Sequence, residues 1–309
     1  MGLKIVVDSS IGFSKQEALA KGLSFIPLSV TIGDRNYSEG LDITPDEFYR
    51  LLAQGFFPKT SQPSPQLYLE AFNEAAKNGD NVLLLSISSK VSGSFQAATI
   101  ARSMCDHPER IFLFDTLTFF GGIQIILSEV ETRTEKPIAD LLAYLEDLKT
   151  RIRVYAGMDT LTYLYKGGRL SKFNLALGIF LHAKAIGMLE DGSVVLAGKA
   201  IGTQNAMKFV VDQTKTNPID FSYPCYLFYS SERGIIDRFA SEYFYRAYPD
   251  KKDLPVLQID PLIGSHIGPL VYGVFYVSVE KDEAKRSIIA DLRERLRNKL
   301  HQGKKPKKE

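Results

Sequence analysis

Short apolar runs alternate with amphipathic stretches through the first half of the chain. Residues 3–7 form an apolar run that ends at the polar Asp8-Ser9-Ser10, which predicts a strand with a loop at its carboxyl end. Residues 25–32 read as a second extended run, followed by a turn at Gly33-Asp34-Arg35-Asn36. Pro45 sits well as the first residue of a helix over 45–53. Ser64-Pro65 repeats that signal, with Leu67, Leu69, Phe72 and Ala76 following at helical spacing. The near-continuous apolar run 81–87 predicts a strand covered on both faces. The hydroxyl-rich loop 88–94, a helix over 95–104, a strand over 111–114 and a helix over 138–150 complete the pattern. This alternation predicts an N-terminal α/β sheet domain with mostly parallel strands over residues 1–150.

The texture changes after residue 150. Residues 151–158 alternate as a strand and lead into the turn-rich Lys166-Gly167-Gly168-Arg169. Strand-like pieces at 194–196, 223–229 and 271–279 are separated by helical stretches at 205–212 and 234–245, predicting a C-terminal α+β domain over 151–280. Beyond it, Ile288, Leu292, Leu296 and Leu300 recur at steps of four, marking an amphipathic helix before a lysine-rich end.

Composition narrows the class. With 309 residues, 45% hydrophobic and 24% charged, the chain reads as a soluble globular protein. Its 38 Lys+Arg against 36 Asp+Glu give a net charge of +2, which excludes a uniformly basic nucleic-acid binder. Two cysteines, Cys105 and Cys225, fit no C-x-x-C pattern, so a cytoplasmic setting with reduced thiols is expected. No run of about 18 apolar residues suggests a membrane span. The balance is nevertheless uneven: residues 281–309 carry 11 Lys/Arg and 5 Asp/Glu, leaving 27 basic and 31 acidic residues in 1–280. Segment 281–309 is therefore either a docked helix with a solvated tail or a peripheral contact with an anionic membrane.

Three clusters carry candidate chemistry. Thr60-Ser61-Gln62-Pro63-Ser64 places hydroxyls just ahead of a helix N-terminus, which suits an anion as well as plain capping by Ser64. In the loop 88–94, Gly93 permits close approach to the backbone, while Ser92 and Ser94 supply hydroxyls at the carboxyl end of a strand. Gly264-Ser265-His266-Ile267-Gly268-Pro269 holds one of four histidines in what reads as a tight turn. No nucleotide-binding glycine motif, H-E-x-x-H, Cys/His cluster or G-x-S-x-G elbow occurs, so neither a cofactor nor a metal is expected.

Taken in order, these motifs resemble the bacterial DegV proteins, fatty-acid-binding proteins that serve as the lipid-presenting subunit of fatty acid kinase. The resemblance rests on Asp8-Ser9-Ser10, Pro27-Leu28-Ser29-Val30, Lys59 to Ser64, Ser89 to Gln96, Asp159-Thr160-Leu161, Lys166-Gly167-Gly168-Arg169-Leu170-Ser171 and Gly264 to Pro269. It implies a two-domain fold with a long-chain fatty acid held non-covalently between the domains. It also implies that Thr60, Ser92 and His266 hold the carboxylate, with Ser61, Gly93 and Ser94 behind them and no catalytic residue in this chain. A separate kinase catalytic subunit would then act on the bound acid, with Arg169 as a candidate docking residue. The sequence departs from the family pattern at Ala185, Ile201 and Leu270, which bears on kinase engagement. Phe173, Leu177, Ile179, Phe180 and Leu181 are candidate tunnel walls. The rival reading is a hydrolase of acyl substrates, with Ser92 as nucleophile, His266 as base and Asp8 or Asp115 as orienter.

Overall fold

The computed structural model describes residues 2–169 and 183–279. Leu170 and Ser171 of the glycine-arginine motif, the five candidate wall residues after it, and the 281–309 segment lie outside the described residues.

In chain order the first half runs β1 (Leu3–Asp8), α1 (Lys15–Ala20), β2 (Ser24–Ile26), β3 (Ser29–Ile32), β4 (Arg35–Ser38), α2 (Pro45–Ala53), β5 (Lys59–Ser61), α3 (Pro65–Ala76), β6 (Asn81–Ser86), α4 (Ser94–Met104), β7 (Ile111–Asp115), α5 (Gly121–Glu131) and α6 (Ile138–Leu148). The second half runs β8 (Ile152–Met158), α7 (Thr162–Lys166), β9 (Ala183–Glu190), β10 (Ser193–Ile201), α8 (Thr203–Thr216), β11 (Tyr226–Tyr229), α9 (Arg233–Phe239), α10 (Tyr245–Ala247), β12 (Val256–Gln258), α11 (Pro261–Ile267) and β13 (Tyr272–Val277). A π-helical turn (Ala240–Phe244) joins α9 to α10.

Strands β2-β1-β6-β7 make an all-parallel sheet, and β4-β3-β5 make a small antiparallel one. The order β10-β9-β8-β13-β11-β12 makes a mostly antiparallel six-stranded sheet. This is the expected α/β architecture.

Period-2 alternation sorts the strand residues into layers. Val6, Val82 and Leu84 face α3 and α4, whereas Val7, Leu83 and Leu85 turn the other way into the main core. On β13, Tyr272, Val274 and Tyr276 pack with α8 and α9, while Phe275 and Val277 join that same main core. One apolar layer is thus shared by both sheets, with Phe119 and Phe275 meeting edge-on at 5.7 Å between ring centres.

Two expectations change, and two elements escaped the sequence pattern. The run 25–32 is two strands, because Pro27 has no N–H to continue a ladder and the chain there passes from the parallel sheet to the small one. Helix α5 and strand β9 were not legible. Helix α5 is apolar nearly all round, with Ile123, Ile125, Ile126, Leu127 and Val130 buried, so it shows no amphipathic stripe. The segment containing His266 is not a tight turn but helix α11. Asp260 caps it by accepting from Ile263 N–H at 2.8 Å, Pro261 occupies its first position, and the turn begins only at Gly268, with φ 79°.

Candidate functional site

Helix α11 runs against β3, β5 and α2 and brings the second half's histidine to the first half's hydroxyls. Thr60 sits in β5, paired with Val30, and its Oγ1 lies 2.8 Å from His266 Nε2. Thr60, Ser61, Gln62, Ser92, Gly93, Arg169 and His266 line one cavity of about 330 Å³, within the size range of small-molecule sites. The three segments singled out in the sequence therefore converge on one space. Ser94 does not line it. Its hydroxyl is wholly buried behind Ser92, with the two Oγ atoms 2.9 Å apart.

The imidazole is neutral. Burial, and then the nearby Arg169 charge, push His266 down to about 4. Its Nδ1 is buried with no partner and packs against Gly167, where a Cβ would come within 2.5 Å. An unpaired buried N–H costs more than an unpaired lone pair, so the proton belongs on Nε2. Nε2–H then donates to Thr60 Oγ1, leaving the Thr60 O–H to donate into the cavity.

Other features favour an anion. The Arg169 guanidinium is anchored by donating to the carbonyls of Val91 at 3.1 Å and Gly167 at 2.6 Å, which holds its charge at the cavity wall. Helix α4 starts at the cavity with Gly93 as cap and no side-chain cap bond, so its positive end faces the same space. Gly93 lets the Gln62 amide sit close to the backbone, since a Cβ would lie 1.8 Å from Gln62 Oε1 and push that side chain aside.

The apolar wall comes from residues that sequence spacing did not single out, including Leu28, Ile87, Val91, Phe119, Leu164 and Ile263. Phe119 is delivered by a tight loop whose flanking Leu117 and Phe120 adopt φ 51° and 49°. Behind Phe119, Val194 and Ile267, which line both spaces, lies a small separate apolar extension of about 30 Å³, lined by residues of β8, β9, β11 and their neighbours, among them Ala156, Gly187 and Phe228. The site therefore has a polar end with hydrogen-bond donors and an apolar end between the two sheets.

The hydrolase constellation is not assembled. Ser92 Oγ pairs with Ser94, His266 Nε2 with Thr60, and Nδ1 has no carboxylate partner. Asp115 instead braces its own loop by accepting from Ser89 and Leu117 N–H groups. Asp8, Ser9 and Ser10 are fully buried. Ser9 Oγ accepts from Leu28 N–H at 3.0 Å, fixing a cavity-wall residue from behind. Leu270 holds φ 57°, and Ile201 is exposed.

Beneath the site lies a group of buried acids. Burial pushes Asp8 up to about 6 and Asp260 up to about 7; burial and then the Asp260 charge raise Glu39 well above the carboxylate range. A carboxyl whose folded value is raised keeps a proton that the unfolded chain releases. The associated stability is complete below about pH 4 and is lost as pH rises through the folded values. Glu39→Gln removes one such group. In scanning calorimetry its Tm is expected to exceed that of the unaltered protein at pH 8, with the gap closing toward pH 4. A gap independent of pH would refute the assignment.

Residues 2–279 match the family model described as uncharacterised protein, DegV family. A DegV domain-containing protein of Caldanaerobacter subterraneus subsp. tengcongensis is 31% identical over 282 residues, covering 89% of this chain and 98% of the relative. Among solved structures, a fatty-acid-binding DegV family protein of Thermus thermophilus superposes with TM-score 0.81 at 28% identity, over 90% of this chain and all of the other. A stearic-acid-binding protein of Eubacterium ventriosum shares the fold at TM-score 0.77 and 24% identity, over 89% of this chain and 98% of its own.

Proposed function

The chain belongs to the DegV family, and from that premise we propose that it binds a long-chain fatty acid non-covalently, without a catalytic residue of its own. The observation that carries this reading is a polar cavity with a small apolar space behind it, the two sharing Phe119, Val194 and Ile267 as lining. Thr60, Ser92 and His266 line the polar cavity, and the apolar extension lies behind its Phe119, Val194 and Ile267 wall. Thr60 and Ser92 donate to the carboxylate, His266 orients Thr60, and Arg169 with the α4 terminus supplies positive potential. The tail accounts for most of the affinity, at about 0.8 kcal/mol per buried CH₂ and on the order of 10 kcal/mol for a long chain before ordering costs. The fatty-acid-binding relative from Thermus thermophilus supports the ligand class.

The bound acid is then carried or presented to a separate fatty acid kinase subunit, whose docking includes Arg169. Segment 281–309 offers a further, basic contact with anionic membrane. Native mass spectrometry of protein purified from cells tests the binding: a retained fatty acid is expected, with no fluorophosphonate adduct on Ser92. Lipid-free protein with a labelled Ser92 would establish the hydrolase instead. Acyl phosphate formed by the loaded protein with a kinase subunit and ATP supports presentation, and its absence leaves carriage alone.

A further inference from the structure

Ser92 is the end of a buried hydrogen-bond chain. Its Oγ lies 2.9 Å from Ser94 Oγ, the buried Ser94 hydroxyl acts on the Tyr68 phenol, and Tyr68 Oη reaches Asp8 Oδ2 at 3.4 Å. Ser94, Tyr68 and Asp8 are each 0% exposed, so only the Ser92 end opens toward the cavity. Each hydroxyl has one proton to give, which means the chain has a direction.

With Asp8 ionised, Tyr68 donates to Asp8, Ser94 to Tyr68 and Ser92 to Ser94. Ser92 then shows the cavity only lone pairs, which repel a carboxylate. With Asp8 protonated, every donation reverses and the Ser92 O–H points into the cavity. We propose that Asp8, Tyr68 and Ser94 are positioning residues for Ser92, and that uptake of a proton at Asp8 accompanies binding of a carboxylate anion. The proposal rests on the carboxylate site described above.

The surroundings of Asp8 suit this role. Burial raises it to about 6 against hydrogen bonds from the Ser10 side chain, the Ser10 and Ile87 backbone and Tyr68, so its proton is exchangeable near neutrality. The other titratable groups acting with it are Glu39, after β4, and Asp260, at the start of α11, both carboxyls that oppose its ionisation. None of the leading influences on Asp8 is a cation.

The test is titration calorimetry of the full chain with laurate between pH 6.5 and 8.5, in two buffers of different ionisation enthalpy. Uptake approaching one proton is expected, with affinity falling about tenfold per pH unit over the upper part of the range. Asp8→Asn donates an amide N–H to Tyr68 at every pH. It should lose that proton uptake and bind at least tenfold more tightly than the unaltered chain at pH 8.5. Ser94→Ala, which frees Ser92 to donate, should also flatten the profile and covers the case of a poorly folding Asp8 variant. Any uptake at Asp260 persists in both variants, so the difference between proteins is the readout. Variants that keep the unaltered pH profile overturn the coupling while leaving the site intact. No laurate binding by the unaltered chain overturns the site reading and the coupling with it.

Discussion

Replacing Thr60 and Ser92 together by alanine is expected to weaken binding of a long-chain fatty acid by about 10²- to 10⁴-fold, while binding of the alcohol of equal length stays nearly constant. In the proposed complex each hydroxyl donates to a charged oxygen, and such bonds contribute roughly 1.5–3 kcal/mol apiece. Thr60 is also the partner of His266 Nε2, so its loss leaves that N–H without an acceptor at the cavity wall. Neither residue lines the apolar extension, so a tail bound as proposed keeps its burial. Comparing acid with alcohol therefore isolates the polar end from any general loosening of the fold. Displacement of a fluorescent acyl probe by palmitate and by hexadecanol reads both constants. An acid-to-alcohol ratio unchanged in the double variant, whether both affinities hold or both fall equally, would overturn the assignment of the carboxylate to Thr60 and Ser92.

The polar end of the site was legible because its chemistry is local. Thr60, Ser92 and His266 stand out as hydroxyl and imidazole groups beside helix starts and glycines, whose spacing the sequence displays directly. Their convergence was not visible in spacing, since Thr60 and His266 are 206 positions apart and meet only because α11 packs against β5. The amphipathic helix α2 matches its expected bounds, and α3 starts where the Ser64-Pro65 signal places it. Helix α5 and the apolar walls escaped for one shared reason. A residue buried between two sheets differs from any other core residue only by its tertiary neighbours, and Leu28, Ile87 and Phe119 read simply as core. Asp8 shows the opposite case. As a polar residue after a strand it suggests a solvated loop, yet the structure buries it completely at the head of the chain leading to Ser92.

Ala156→Leu is expected to shorten the preferred ligand. Ala156 lies on β8 between Gly187 of β9 and Gly273 of β13, so a row of small residues spans three neighbouring strands. Ala156 and Gly187 both line the narrow apolar extension. Three added carbon atoms at position 156 occupy roughly the space of three methylenes of a tail. At about 0.8 kcal/mol per methylene, a chain that reaches this end loses on the order of 2.4 kcal/mol, or roughly 60-fold in affinity. A chain three carbons shorter stops before the obstruction and loses nothing. Gly187 itself is a poorer choice, because a Cβ there would lie 2.7 Å from the Met158 methyl and confound packing with occupancy. Affinities measured across saturated acids from C10 to C18 should therefore keep their per-methylene increment up to a shorter limit and then level off. A uniform loss at every length would show that the substitution disturbs the sheet, and an unaltered series would place the tail along a different path from the polar end.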